Sequence, residues 1–408
     1  MRFCILHHGN WPGPCDPYET SLEFLLELTA RDLDPSYALI PSVKRVIPDS
    51  APRFARAALC ALGLLAASAC RHQVALEELP PEQIETTLFL IGDAGEPDPR
   101  QVGPPLDSLT AQAAAAPERS IILFLGDNVY PAGIPEEGAA EWADARRRIE
   151  AQVRAIPAGA QGIFLPGNHD WANSGPFGLY AIRLQEQFIA SLARGRNVRL
   201  LPSNGCPGPV PMDVGRLRLV SLDTQWWLHS FIVRDSVSNC PTNTIAAVTS
   251  ALRDQVRPPG ERRIVVVGAH HPLITGGEHG SYCGVTGPFR RFGGRSQDIM
   301  SSANRAMRDS LRSAFRGRPP LMFVAGHDHS LQVLRGGDEV DYLLVSGAGA
   351  PSKVSCAVRL RESYYVSARS AGFMRVDIMK GKGVLLRVFR YPGRSTGALV
   401  YSRWLEPR

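Results

Sequence analysis

The chain has 408 residues, 44% apolar and 21% charged, a balance that excludes disordered and fibrous classes and suits a globular domain of ordinary burial. Its net charge of +6 comes from 45 basic and 39 acidic residues, scattered as in Arg146, Arg147 and Arg148. No long basic run with interleaved aromatics marks a nucleic-acid-binding face, and there is no repeat of fixed period.

The N-terminal part differs in kind from the rest. Residues 1–50 carry Pro12, Pro14, Pro17, Pro35 and Pro41 and read as a non-structural extension or as sequence upstream of the true start. From Ala51 a basic segment with Arg53 and Arg56 leads into the apolar run Ala57 to Cys70. That run is too short to span a bilayer and has the order of an export signal. Its end, Ala67-Ser68-Ala69-Cys70, resembles a lipoprotein cleavage box and predicts a lipid anchor at Cys70. The expectation is an exported protein, a periplasmic or cell-envelope lipoprotein or a secreted one, with residues 71–85 as linker and 86–408 as one folded domain.

Within that domain, strand-like runs alternate with helical patterns. Thr87 to Ile91 ends in Gly92-Asp93-Ala94-Gly95, and Ile121 to Leu125 in Gly126-Asp127-Asn128-Val129-Tyr130. A helical pattern follows over Ala139 to Ala155. Gly162 to Leu165 leads to Gly167-Asn168-His169-Asp170, with helical patterns over Leu179 to Ala193 and Thr242 to Leu252. Arg263 to Val267 ends in Gly268-Ala269-His270-His271, and after a helical pattern over Ala303 to Phe315, Leu321 to Val324 leads to Gly326-His327-Asp328-His329. The later runs, Tyr342 to Val345, Phe373 to Ile378, Val384 to Tyr391 and Ala398 to Tyr401, lack long helices between them and suggest a second sheet.

Each polar block sits at a strand's carboxyl end, the edge where α/β sheets bind ligands. Taken singly, Asp93 and Asp127 are unremarkable as helix caps and Tyr130 as a core aromatic. Five such blocks in order are the parts of a two-metal site. Asp93, Asp127 and a deprotonated Tyr130 offer hard anionic oxygens suited to a trivalent cation. Asn168, His270, His327 and a shared Asp127 suit a divalent one. Two cations roughly 3.5–4 Å apart can orient an attacking hydroxide and neutralise phosphoryl charge.

These blocks, with Glu278-His279-Gly280 and Ser346-Gly347-Ala348-Gly349, resemble the purple acid phosphatase branch of the calcineurin-like metallophosphoesterases, and among them the small tartrate-resistant type. Where many relatives have Asp-x-His, this chain has Asp93-Ala94-Gly95, and Tyr130 answers the gap. The resemblance implies an α/β fold, a four-layer α/β/β/α sandwich with a dinuclear metal site at the strand C-terminal ends. It implies Asp93, Asp127, Tyr130 and His329 around Fe(III), and Asp127, Asn168, His270 and His327 around divalent Fe, Zn or Mn. His169 would contact the substrate phosphate, Asp170 would orient its imidazole, and His279 would lie near the phosphate. The activity implied is acid phosphomonoester hydrolysis of a small phosphate ester or phosphopeptide, with a phosphodiesterase or nucleotide hydrolase, or a non-catalytic metal-carrying module, as alternatives. His271 falls in the variable slot before Pro272, so His270 is taken as the ligand of that pair.

Beyond the site, Cys206, Cys240, Cys283 and Cys356 allow two disulfides in an oxidising compartment, with pairing open. Trp226-Trp227 is expected in the core. The Gly- and Pro-rich stretches Ser203 to Pro211 and Gly276 to Arg295 are expected as loops that shape the substrate pocket.

Overall fold

The structure, a computed structural model, describes residues 80–96, 104–231, 239–257, 263–284, 295–381, 383–391 and 397–406. The N-terminal extension, the export signal with Cys70 and the linker as far as residue 79 lie outside them, as does part of the Gly276 to Arg295 loop, residues 285–294.

The first sheet grows from four parallel strands, β1 (Ile84–Ile91), β2 (Ser120–Phe124), β3 (Gln161–Phe164) and β4 (Val198–Leu200). Helices α1 (Pro104–Ala114), α2 (Trp142–Arg154) and α3 (Gly178–Ala193) connect them. Alternation along β1 explains why its second half, Leu88 to Ile91, is apolar without a break: Phe89 and Ile91 pack with the helices, whereas Leu88 and Leu90 face the opposite core. Phe124 of β2 and Phe164 of β3 stack at 4.3 Å within the helix-facing core. Truncating either to alanine would cost about 3–5 kcal/mol.

The second sheet has parallel β6 (Leu217–Ser221), β7 (Ile264–Gly268), β8 (Met322–Ala325) and β10 (Tyr342–Ser346) at its centre. Antiparallel β5 (Val210–Val214) edges one side, and β9 (Leu331–Arg335) with β11 (Ser363–Ser367) the other. Its outer face is covered by α4 (Gln225–Leu228), α5 (Ile245–Gln255) and α6 (Ser302–Phe315). Thr244 and Ser301 cap α5 and α6, their side-chain oxygens accepting from Ala247 N and Asn304 N. A middle core between the sheets joins Leu88, Leu123 and Ile163 to Leu219, Val266 and Val324, which completes the α/β/β/α order.

Three of the late strands are not in the second sheet. β12 (Ala371–Met379) pairs antiparallel with β1, and β13 (Val384–Tyr391) and β14 (Ala398–Leu405) extend the first sheet in the order β14-β13-β12-β1-β2-β3-β4. Their apolar alternation suits either sheet; the long-range pairing with β1 decides, and a run of sequence carries no sign of it. Helix α1, not among the helical patterns expected from the sequence, opens on Pro104 and Pro105, and proline is well placed in a helix's first turn. Trp226 and Trp227 lie in the outer core, as expected of buried aromatics. The cysteines pair as Cys206–Cys240 and Cys283–Cys356.

Candidate metal centre

The polar blocks converge because the two sheets' strand tips are laced together. Gly92 N donates to Ser346 O at 2.7 Å, Asp93 N to Gly126 O at 3.0 Å and Gly326 N to His270 O at 3.0 Å. Asp93, Asp127 and His327 adopt left-handed backbone with φ of 56°, 54° and 69°. Such conformations cost on the order of 1–3 kcal/mol each and aim side chains off the strand axis into one point. Close approach also demands glycine at Gly167, where a Cβ would run into Asp127 N and Oδ1.

One cluster surrounds the Tyr130 hydroxyl. It lies 3.1 Å from Asp93 Oδ1, 3.2 Å from Asp127 Oδ2 and 3.1 Å from His329 Nε2. His329 Nδ1 donates to Lys353 O at 2.8 Å, which turns Nε2 towards the cluster. A second cluster surrounds the Asn168 side-chain oxygen, 3.1 Å from both His270 Nε2 and His327 Nδ1. His270 Nδ1 donates to Leu125 O at 2.7 Å, so its Nε2 is likewise aimed inward, 3.3 Å from Asp127 Oδ1. Asp127 therefore turns one carboxylate oxygen to each cluster.

The ionisable groups of this nest shift one another. Burial opposes ionisation of Asp127, but the charges of His270 and His169 and their hydrogen bonds hold its carboxyl well below the usual range. Burial likewise opposes a charge on His270, yet Asp127, with Asp93 behind it, raises that imidazole to about 9. His329 is raised to about 9 against its burial by the hydrogen bond and charge of Asp93. Burial and then the charges of Asp93 and Asp127 push the Tyr130 phenol well above its ordinary value. His327 is depressed by burial and by its neighbouring histidines.

The donor set fits two cations. Carboxylates, a phenol oxygen, an amide oxygen and three imidazoles converge in a buried space, with two of the imidazoles held by backbone carbonyls as metal-ligating histidines usually are. The triads Asp93-Asp127-His270 and His270-His271-His327 each bring their donor atoms within 4.8 Å of one another. His327 Nε2, His271 Nε2 and Asp328 Oδ2 are buried without a hydrogen-bond partner among the described residues. His271 Nδ1 sits 2.9 Å from Thr224 Oγ1.

The remaining candidates divide. His169 N donates to Asp127 Oδ1 at 2.9 Å, while its ring, 25% exposed, donates from Nδ1 to Pro131 O and lies 3.9 Å from Asp127 Oδ2. The expectation that Asp170 orients this ring is corrected: the carboxylate instead accepts from Asn128 N and Nδ2, Val129 N and Gly167 N. Adjacent side chains diverge at this turn, so Asp170 ties the second block to the third. His279 packs its ring 3.8 Å from that of His327. Asp298, which no motif marks, holds His279 Nδ1 at 2.8 Å. At the rim, Lys353 pairs with Glu96 at 2.6 Å and lies 4.6 Å from the Tyr130 ring centre.

No family model matches the chain, and no curated protein matches it. Solved structures do resemble it. One is GAP50, the anchor in the inner membrane complex of Plasmodium, with a TM-score of 0.51 and 14% identity over 80% of this chain and 90% of that one. Another is purple acid phosphatase PPD1 from yellow lupin (Lupinus luteus) seeds, with a TM-score of 0.51 and 16% identity over 78% of this chain. This chain spans 53% of the lupin protein's length. At such identities the likeness is one of fold.

Proposed function

We propose that the chain is a metallophosphoesterase of the purple acid phosphatase branch, an exported acid phosphomonoesterase with Fe(III) and a divalent Fe, Zn or Mn ion. The observation that carries the reading is the division of Asp127, whose Oδ2 lies 3.2 Å from Tyr130 Oη while Oδ1 lies 3.3 Å from His270 Nε2. A carboxylate facing two ligand clusters is what a bridged pair of cations requires. Asp93, Asp127, Tyr130 and His329 would hold the first, and Asp127, Asn168, His270 and His327 the second. When bound, such a pair supplies Lewis-acid activation of water and neutralises phosphoryl charge.

The chain's own residues supply the rest. His169 reaches the open side of the nest and would donate to a phosphoryl oxygen or to the departing alkoxide. His279, stacked on His327, would act from the neighbouring edge. Export is supported by the two disulfides, which persist in oxidising compartments. The lupin structure is that of a phosphatase, and GAP50 is described as an anchor. Catalysis thus rests on the ligand set, which fold alone does not supply.

The test compares hydrolysis of p-nitrophenyl phosphate and bis(p-nitrophenyl) phosphate by the metal-loaded protein. Preference for the monoester, lost in Asp127→Asn, is the expected result. Preference for the diester would move the reading to a phosphodiesterase, and silence on both with metals bound would overturn catalysis.

A further inference from the structure

We infer that Asp298 is a positioning residue that fixes the His279 imidazole with its proton on Nδ1 and turns Nε2 to the phosphate side of the centre. The role given to Nε2 rests on the phosphohydrolase reading; the fixing of the ring does not.

Asp298 is 1% exposed, and its carboxylate is aimed at the His279 imidazole and the Arg295 backbone. One oxygen accepts from His279 Nδ1 at 2.8 Å, and the other from Arg295 N at 2.9 Å. Because a carboxylate only accepts, the ring nitrogen facing it must carry the proton. The backbone repeats the grip. Ile299 N, next to Asp298, donates to His279 O at 3.0 Å, and on the opposite side His279 N donates to Asp328 Oδ1 at 3.0 Å. His279 is thereby held at its N–H, its C=O and its Nδ1, with its ring laid 3.8 Å from His327.

A carboxylate buried for helix capping or packing alone would have no need of an imidazole that is itself 20% exposed and beside a metal-ligand candidate. Buried carboxylates that accept from Nδ1 fix the tautomer of a histidine and leave Nε2 to exchange a proton with substrate. In a phosphomonoester, that proton goes to the leaving oxygen as its bond to phosphorus breaks, while the attacking water oxygen forms the new one.

The experiment compares wild type, Asp298→Asn and Asp298→Ala on p-nitrophenyl phosphate, whose leaving group needs little protonation, and on phenyl phosphate, whose leaving group needs more. Expected is a loss of kcat on phenyl phosphate roughly tenfold greater than on p-nitrophenyl phosphate, with metal content and KM retained. Ring 15N shifts of His279 in the zinc-loaded protein supply the second readout: Nδ1–H in wild type, mixed tautomers in both variants. Equal loss on both esters with Nδ1–H retained would overturn the inference. If wild type hydrolyses neither ester, the phosphohydrolase reading fails instead, and the tautomer alone decides whether Asp298 fixes the ring. Where Asp298→Ala does not fold, Asp298→Asn carries both readouts.

Discussion

Tyr130 Oη and His329 Nε2 lie 3.1 Å apart although 199 residues separate them in the chain. Tyr130 leaves the tip of β2 in the first sheet and His329 the tip of β8 in the second. Their meeting shows that the two sheets close on one point. With Asp93 Oδ1 and Asp127 Oδ2 also on the phenol oxygen, the cluster presents three oxygens and a nitrogen to a cation.

Loading with iron should therefore produce visible absorption from phenolate-to-Fe(III) charge transfer. Tyr130→Phe should abolish the colour while the divalent ion, held by Asn168, His270 and His327, stays bound. Absorption spectra paired with elemental analysis check this. Colour that survives the substitution would place the iron elsewhere.

The neighbouring histidines separate in the same way. His270→Ala should lose the divalent ion, since its Nε2 faces both Asn168 and Asp127. His271→Ala should keep it, because that ring is tied to Thr224. Metal content of the two variants after identical loading gives the answer, and loss in the second alone would reverse the assignment.

Asp170→Ala should destabilise the protein by about 3–5 kcal/mol, since it strips the acceptor from donors on Asn128, Val129 and Gly167 at once. Denaturant unfolding with an unchanged m-value is the measurement. A change within about 0.5 kcal/mol, as for a surface site, would contradict the clamp.

Much of this clustering was legible because each candidate ligand sits within a few residues of a strand tip, where periodicity and glycine both mark the position. Tyr130, singled out by its spacing to Asp127 and the family resemblance, does meet Asp93, Asp127 and His329. What could not be read depends on distant partners. Asp170 beside His169 suggests an orienting pair, but the turn sends the two side chains apart. Asp298 reaches His279 from 19 residues away, and no motif marks it. Strands β12 to β14 carry the same alternation they would show in either sheet, and only pairing with β1 assigns them.

A pH effect on stability arises away from the candidate ligands. Asp223 is buried beneath Trp171 and Trp226, and burial first, with the charge of Asp170 adding to it, pushes its carboxyl up to about 7. An unfolded aspartate titrates near 3.9, so between about pH 4 and 7 the folded state keeps a proton that the unfolded chain has lost. Stability should fall as pH rises through that window and level off above it, with this group contributing up to about 1.4 kcal/mol per pH unit. Asp223→Asn should flatten the slope; an unchanged slope in urea melts across the window would refute the assignment.

The most direct test is metal stoichiometry. After loading with iron and zinc and exhaustive dialysis, wild type should retain two metal ions per chain, one of each kind, and Asp127→Asn should retain fewer of both because each cluster loses a ligand. Retention of one ion or none by wild type, or of both by Asp127→Asn, would contradict a bridged dinuclear centre.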